Sequence, residues 1–153
     1  MIIFLSLLTL LFGCQKQEKS VVEKLYIFHA EEGVFERDPS QPNLCTLEMI
    51  SITNDVAYFN PTPMRKAGTL TLAQFLASWQ SEQLKMKEAP KSEGFVFYDK
   101  ESKGYGHLAI KLIFPTYDPK LDKLTFILEA IDQDFPFDRK EVSEVTIFLN
   151  LSL

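Results

Sequence analysis

The chain is poor in the residues that most often do chemistry: its 153 residues include two cysteines, two histidines and one tryptophan. His29 and His107 lie far apart, and neither has a Cys or His at the spacing of a metal-binding pair. There is no Gly-x-Ser-x-Gly elbow and no glycine-rich loop to cradle a phosphate. Asp132, Asp134 and Asp138 supply oxygen ligands of the kind calcium wants. Their segment lacks the central glycine and terminal bidentate glutamate of a calcium loop, so it reads as an acidic, solvated loop. Basic residues number 16 against 21 acidic ones, a net charge of −5, and they form no cluster interleaved with aromatics. A nucleic-acid partner is therefore not expected. No catalytic residue, metal ligand set or cofactor site emerges from these patterns.

Aromatic residues are what the chain has in excess. Thirteen Phe and five Tyr accompany the lone Trp, a content that favours strands over helices. Apolar and β-branched runs predict strands at Lys24–Phe35, Leu44–Thr53, Val56–Phe59, Phe95–Tyr98, Leu108–Phe114, Leu124–Ala130 and Val145–Leu151. The first is interrupted near Glu31-Glu32-Gly33, and the last three alternate cleanly, as in Leu124, Phe126, Leu128 and Ala130. Loops are expected at Asp38–Asn43, Asn54-Asp55, Glu101–Gly106 and Thr116–Lys120, and Asn60-Pro61-Thr62-Pro63 should stop a strand.

One helix is predicted over about 71–84. Thr71-Leu72-Ala73-Gln74 has capping-box form, and Leu72, Phe75, Leu76 and Trp79 make one apolar stripe. The pattern as a whole is mainly β: an antiparallel β-sandwich or open barrel of about seven to eight strands with one packed helix, a single domain over 23–153. Cys45 lies in the apolar stretch Asn43–Leu47 with no Lys, Arg or His beside it to activate the thiol, so it should behave as a small buried hydrophobe.

The N-terminus has a different character. Met1 to Phe12 carries no charged side chain and falls short of the roughly twenty residues a membrane-spanning helix needs. It fits the apolar region of a signal peptide over residues 1–13. The run ends at Leu11-Phe12-Gly13-Cys14, followed by the polar Gln15–Ser20. This box resembles that of bacterial lipoproteins, in which a Leu lies three residues before the Cys and a small residue immediately before it. The resemblance implies acylation of Cys14 by palmitate-type chains, a tether over 14–22, and anchoring in the cell envelope. Phe12 is larger than usual for its position, and the usual basic residues before the apolar run are missing. Gln rather than Asp at position 15 implies the outer membrane, if the cell has one.

A second resemblance is carried by Val56-Ala57-Tyr58-Phe59, Arg65-Lys66-Ala67-Gly68, Phe75 and Trp79, continuing at Pro115, Tyr117, Leu124-Thr125-Phe126 and Val145–Leu149. Across most of residues 44–149 these blocks resemble an uncharacterised family of secreted microbial proteins. It implies an exported domain and no particular activity. Pro61 and Thr62 replace charged residues of that family's turn, and Ala89-Pro90-Lys91-Ser92 departs from its usual entry into the next strand.

Together these features imply a non-enzymatic envelope lipoprotein that meets the membrane through its anchor and binds an envelope protein or other component. Arg65, Trp79 and Tyr58 are the candidate binding residues. Arg65 follows a Pro-x-Pro turn and could grip a carboxylate or phosphate, or pair with an acidic neighbour and hold the turn to the helix. Two other readings are a small-ligand carrier with an aromatic pocket, and a hydrolase with an unrecognised site built from scattered Asp, Glu and His side chains.

Overall fold

Each apolar run becomes a strand by finding a neighbour for its backbone. The computed structural model describes residues 23–60, 65–85, 92–99 and 104–152. In chain order the elements are β1 (Glu23–Arg37), β2 (Leu44–Ile52), β3 (Asp55–Asn60), β4 (Lys66–Thr71), α1 (Leu72–Lys85), β5 (Ser92–Asp99), β6 (Tyr105–Asp118), β7 (Lys123–Ala130), β8 (Arg139–Val142) and β9 (Val145–Ser152). The apolar leader, Cys14, the tether, the Pro61-Thr62-Pro63 turn, Ala89-Pro90-Lys91 and the Glu101–Lys103 connector lie outside the described residues.

The structure is mainly β with one helix, an antiparallel sheet folded on itself in the manner of a sandwich or open barrel. Two strands make the fold possible by serving both leaves. β1 pairs with β3 and β9 through residues 23–30, and with β2 and β8 through residues 30–37. β6 pairs with β5 through residues 105–111 and with β7 through residues 110–118. The first leaf therefore runs β4–β3–β1–β9–β5–β6, and the second β8–β1–β2–β7–β6. Corners made by strands that change sheets require bends or bulges. In β6 the bend is a register shift between Leu112 and Phe114.

In β1 the corner is a change of face. Tyr26, Phe28 and Ala30 point inward, and after Glu31 and Glu32 the inward residues are Gly33 and Phe35. Both flanking strands switch on the same line: β2 between Met49 and Ile52, and β8–β9 between Val142 and Val145. Ser51 accommodates the turn with a φ of 54°. Gly33 is needed here, because a Cβ would meet Val145 Cγ1 at 2.9 Å and Val142 Cγ2 at 3.0 Å.

Between the leaves the core is built on edge-to-face aromatics, the geometry favoured by ring quadrupoles. Phe28 of the first leaf lies 5.6 Å from Phe126 of the second and 4.8 Å from Phe75 of α1, and Phe75 lies 5.9 Å from Trp79. The helix is thus pinned to the first leaf, through Phe28 and Tyr26 of β1. Its start is the predicted capping box: the Thr71 amide donates to Gln74 Oε1 at 2.9 Å and the Gln74 amide donates to Thr71 Oγ1 at 3.2 Å. A second cluster joins Phe35, Tyr98 and Phe137, with ring centroids 5.4–5.8 Å apart. Arg37 ties the 131–138 loop over it, donating to Phe135 O at 3.2 Å and pairing with the Asp138 carboxylate.

The structure has two strands more than the sequence pattern indicates. β4 occupies residues to which the sequence pattern assigns no element before the Thr71 cap, and β8 is a four-residue strand of mostly charged side chains. β6 also continues to Asp118, through Pro115, where a turn from Thr116 is expected. The adjacent bulge is a place where a strand tolerates proline.

Candidate interaction surface

Once the inward parity of each strand is fixed, the opposite parity defines what the molecule shows outside. On the first leaf, register brings Ala109, Phe95, Phe148, Ile27 and Ala57 into one row across five strands. Leu25 and Phe59 sit opposite each other in the next row, and Phe97 packs edge-on against Phe148 at 5.5 Å. Phe95 is 50% exposed and Phe59 41%, while Leu25, Ile27, Phe97 and Phe148 are half-buried by one another. Four strand spacings make this surface about 19 Å across. Scattered single apolar residues on a surface are ordinary, whereas a contiguous row makes this face a candidate for interaction.

The second leaf has the opposite character. Its outward residues include Glu32, Glu36, Thr46, Glu48, Lys123, Thr125 and Glu129, with Ile127 among them. Lys123 Nζ and Glu48 Oε1 pair across β7 and β2 at 2.9 Å. The first leaf thus carries an apolar band flanked by polar rows, with Lys111, Glu93 and Asn150 on one side and His107, Thr146 and His29 on the other, whereas charged side chains predominate on the second.

Where the leaves meet at the β1 corner, a surface cleft of about 330 Å³ is lined by Glu32, Asp99, Glu141 and Ser143 with Gly33, Val34 and Val142. Ser143 donates to Asp99 Oδ2 at 2.9 Å, and the Asp99 amide donates to Glu144 O at 3.2 Å, so these groups hold the β8–β9 turn against β5. Beside it, His29 Nδ1 shares a hydrogen bond with Thr146 Oγ1 at 3.0 Å, and its Nε2 lies 4.0 Å from Glu144 Oε1. Tyr105 donates to Glu144 Oε2 at 3.1 Å, and that hydrogen bond raises the phenol above its ordinary 10.0. The Ser143 hydroxyl is thus directed at a carboxylate rather than at an imidazole. Among the described residues no three His, Cys, Asp or Glu side chains converge as a metal site.

The structure brings two of the three candidate binding residues into one cluster, inside the molecule. Trp79 is 4% exposed, and its Nε1 is buried with no hydrogen-bond partner among the described residues. The half-buried Tyr58 ring stands 6.4 Å from Tyr26, itself 5.1 Å from Phe75, and Lys24 Nζ lies 5.8 Å from the Tyr58 ring. Tyr58 lies directly over Gly68, where a Cβ would come within 2.8 Å of its hydroxyl. That close approach explains the glycine of the Arg65–Gly68 block. Arg65 is apart from them, exposed at the head of β4 with a φ of 41°. Cys45 is buried, its Sγ 3.4 Å from Thr46 O, and burial pushes its thiol up to about 12. The thiol is held in the unreactive protonated form. Asp132 and Asp134 are exposed, and Asp138 is engaged by Arg37.

No protein-family model, no curated protein and no solved structure matches this chain. The functional reading therefore stands on the residues themselves. The outer face of the first leaf is the part of the site that strand patterns alone miss. Phe95, Phe97, Phe148 and Ile27 fall within short apolar runs, and only the pairing registers assign them to the outside.

Proposed function

We propose that this chain is an exported lipoprotein, held at the cell envelope by acyl groups on Cys14, whose β-domain works by binding an envelope component through the outer face of the first leaf. The observation that carries the reading is Leu11-Phe12-Gly13-Cys14 at the end of an uncharged apolar run and before a polar segment. Gly13 gives a peptidase access to the bond before Cys14, and multiple acyl chains provide stable anchoring where one would be marginal. The contiguous apolar row on one outer face supports a binding rather than a catalytic role. Metabolic labelling with a fatty-acid analogue tests the anchor. The wild type should incorporate label and sediment with membranes, and Cys14→Ala should lose both properties. An unlabelled wild type overturns the proposal.

A further inference from the structure

We infer that the outer face of the first leaf rests on the lipid surface to which the chain is anchored, so that the membrane itself is the component bound. This rests on acylation of Cys14. Eight residues lie between Cys14 and Glu23, so the nine steps from one to the other make a tether of at most about 32 Å when fully extended. A folded unit of about 130 residues has a radius of gyration of about 14 Å, so the tether is no longer than the body it holds. Every surface of the domain is thereby kept near lipid at high effective concentration, and weak contacts suffice to choose which one settles there.

Position along β1 makes the choice. The tether enters at Glu23, and the apolar face begins at once with Leu25 and Ile27, within roughly 7–13 Å of the entry. Phe59 opposite Leu25, and Phe148 and Phe95 in the row of Ile27, extend the same surface away from that point, while Asn150, Glu93 and Lys111 complete the row of Leu25. Four carboxylates, those of Glu32, Asp99, Glu141 and Glu144, gather instead at the β1 corner, beyond Ala30, while Glu93 on the face itself stands opposite the cationic Lys111. An anionic lipid surface repels charge of this sign only within about a Debye length, and this arrangement sets the acidic corner at the end away from the tether. The outer face of the second leaf, with Glu36, Glu48, Lys123 and Glu129, is left toward water.

The test uses the full-length acylated protein in phosphatidylcholine vesicles with brominated acyl chains. Phe95→Cys and Ile127→Cys each receive a bimane dye. Both side chains are partly exposed and on opposite leaves, and buried Cys45 stays unlabelled. The dye at position 95 should lose about half or more of its emission, as expected for a face seated ~5–10 Å into the headgroup–acyl boundary, while that at position 127 keeps its emission. Equal emission at both positions, with both open to an aqueous quencher, overturns the inference. A dye at 95 shielded from the aqueous quencher yet unaffected by bromine means that a second copy or another protein covers the face, which overturns it as well. The mass of the N-terminal peptide from the same preparation separates the two claims. An unacylated Cys14 overturns the anchor reading, whereas an acylated chain with an unquenched position 95 overturns only the orientation.

Discussion

Gly94 offers the sharpest check on how tightly the first leaf is built. A Cβ there would lie 2.0 Å from Phe148 O, 3.0 Å from Phe148 C and 3.1 Å from Leu149 Cα. All three atoms are backbone, so no rotamer can relieve the overlap. Restoring a tolerable C···O separation of about 3.3 Å requires the strands to part locally by about 1.3 Å. That is enough to break two or three ladder hydrogen bonds of the β5–β9 pairing, each worth about 1 kcal/mol net, with residual strain added. Gly94→Ala should therefore cost about 3–4 kcal/mol. With a urea slope near 2 kcal/mol/M, the unfolding midpoint falls by about 1.5–2 M. Gly104→Ala is the control. Its added Cβ meets nothing within 4 Å, but its φ of +84° is unfavourable to alanine, so a loss of about 1–2 kcal/mol is expected. Urea titrations of the two variants followed by circular dichroism decide the matter. A Gly94 variant no less stable than the Gly104 variant would refute the close seating of β5 on β9.

Two further outcomes follow from the core and its edges. Thr71→Ala removes the hydroxyl that accepts the Gln74 amide and should cost about 1 kcal/mol, visible as a lower urea midpoint; an unchanged midpoint would mean that the cap contributes nothing. Burial raises the Cys45 thiol from 9.0 to about 12 and lifts the Tyr26 and Tyr98 phenols above 10.0. The folded chain therefore keeps protons that the unfolded chain sheds. Stability should be undiminished by these groups below about pH 9 and fall as pH rises toward 12. Cys45→Ala should show a shallower alkaline decline in urea midpoint than the wild type, and identical declines would remove Cys45 as a cause.

What could be read from the residues alone was what local chemistry determines. The helix start was legible because Thr71 and Gln74 satisfy each other within four residues, and β7 was legible because Leu124, Phe126, Leu128 and Ala130 alternate against polar neighbours. β4 and β8 were not. β4 becomes a strand because its neighbour β3 offers an edge, and β8 because β1 offers one about a hundred residues away in sequence, where charged residues such as Arg139, Lys140 and Glu141 suit an exposed edge. The interruption at Glu31-Glu32 is visible in the sequence, yet its nature is not, since a face switch shared by three strands depends on all their registers. The apolar outer face was hidden for a related reason. Leu25-Tyr26-Ile27-Phe28 looks like a strand covered on both sides, and only the fold shows which side is left open.

Because β1 must lie against β9 from Glu23↔Ser152 to Ala30↔Val145, a strand made early by the ribosome waits for one made more than a hundred residues later. A nascent chain that stops before Val145 leaves β1 and β5 each without the neighbour they share. Assembly of the first leaf therefore waits until β9 has been made, slow in the way of folds dominated by distant pairings. Until then the unpaired phenylalanine-rich strands need shielding from self-association.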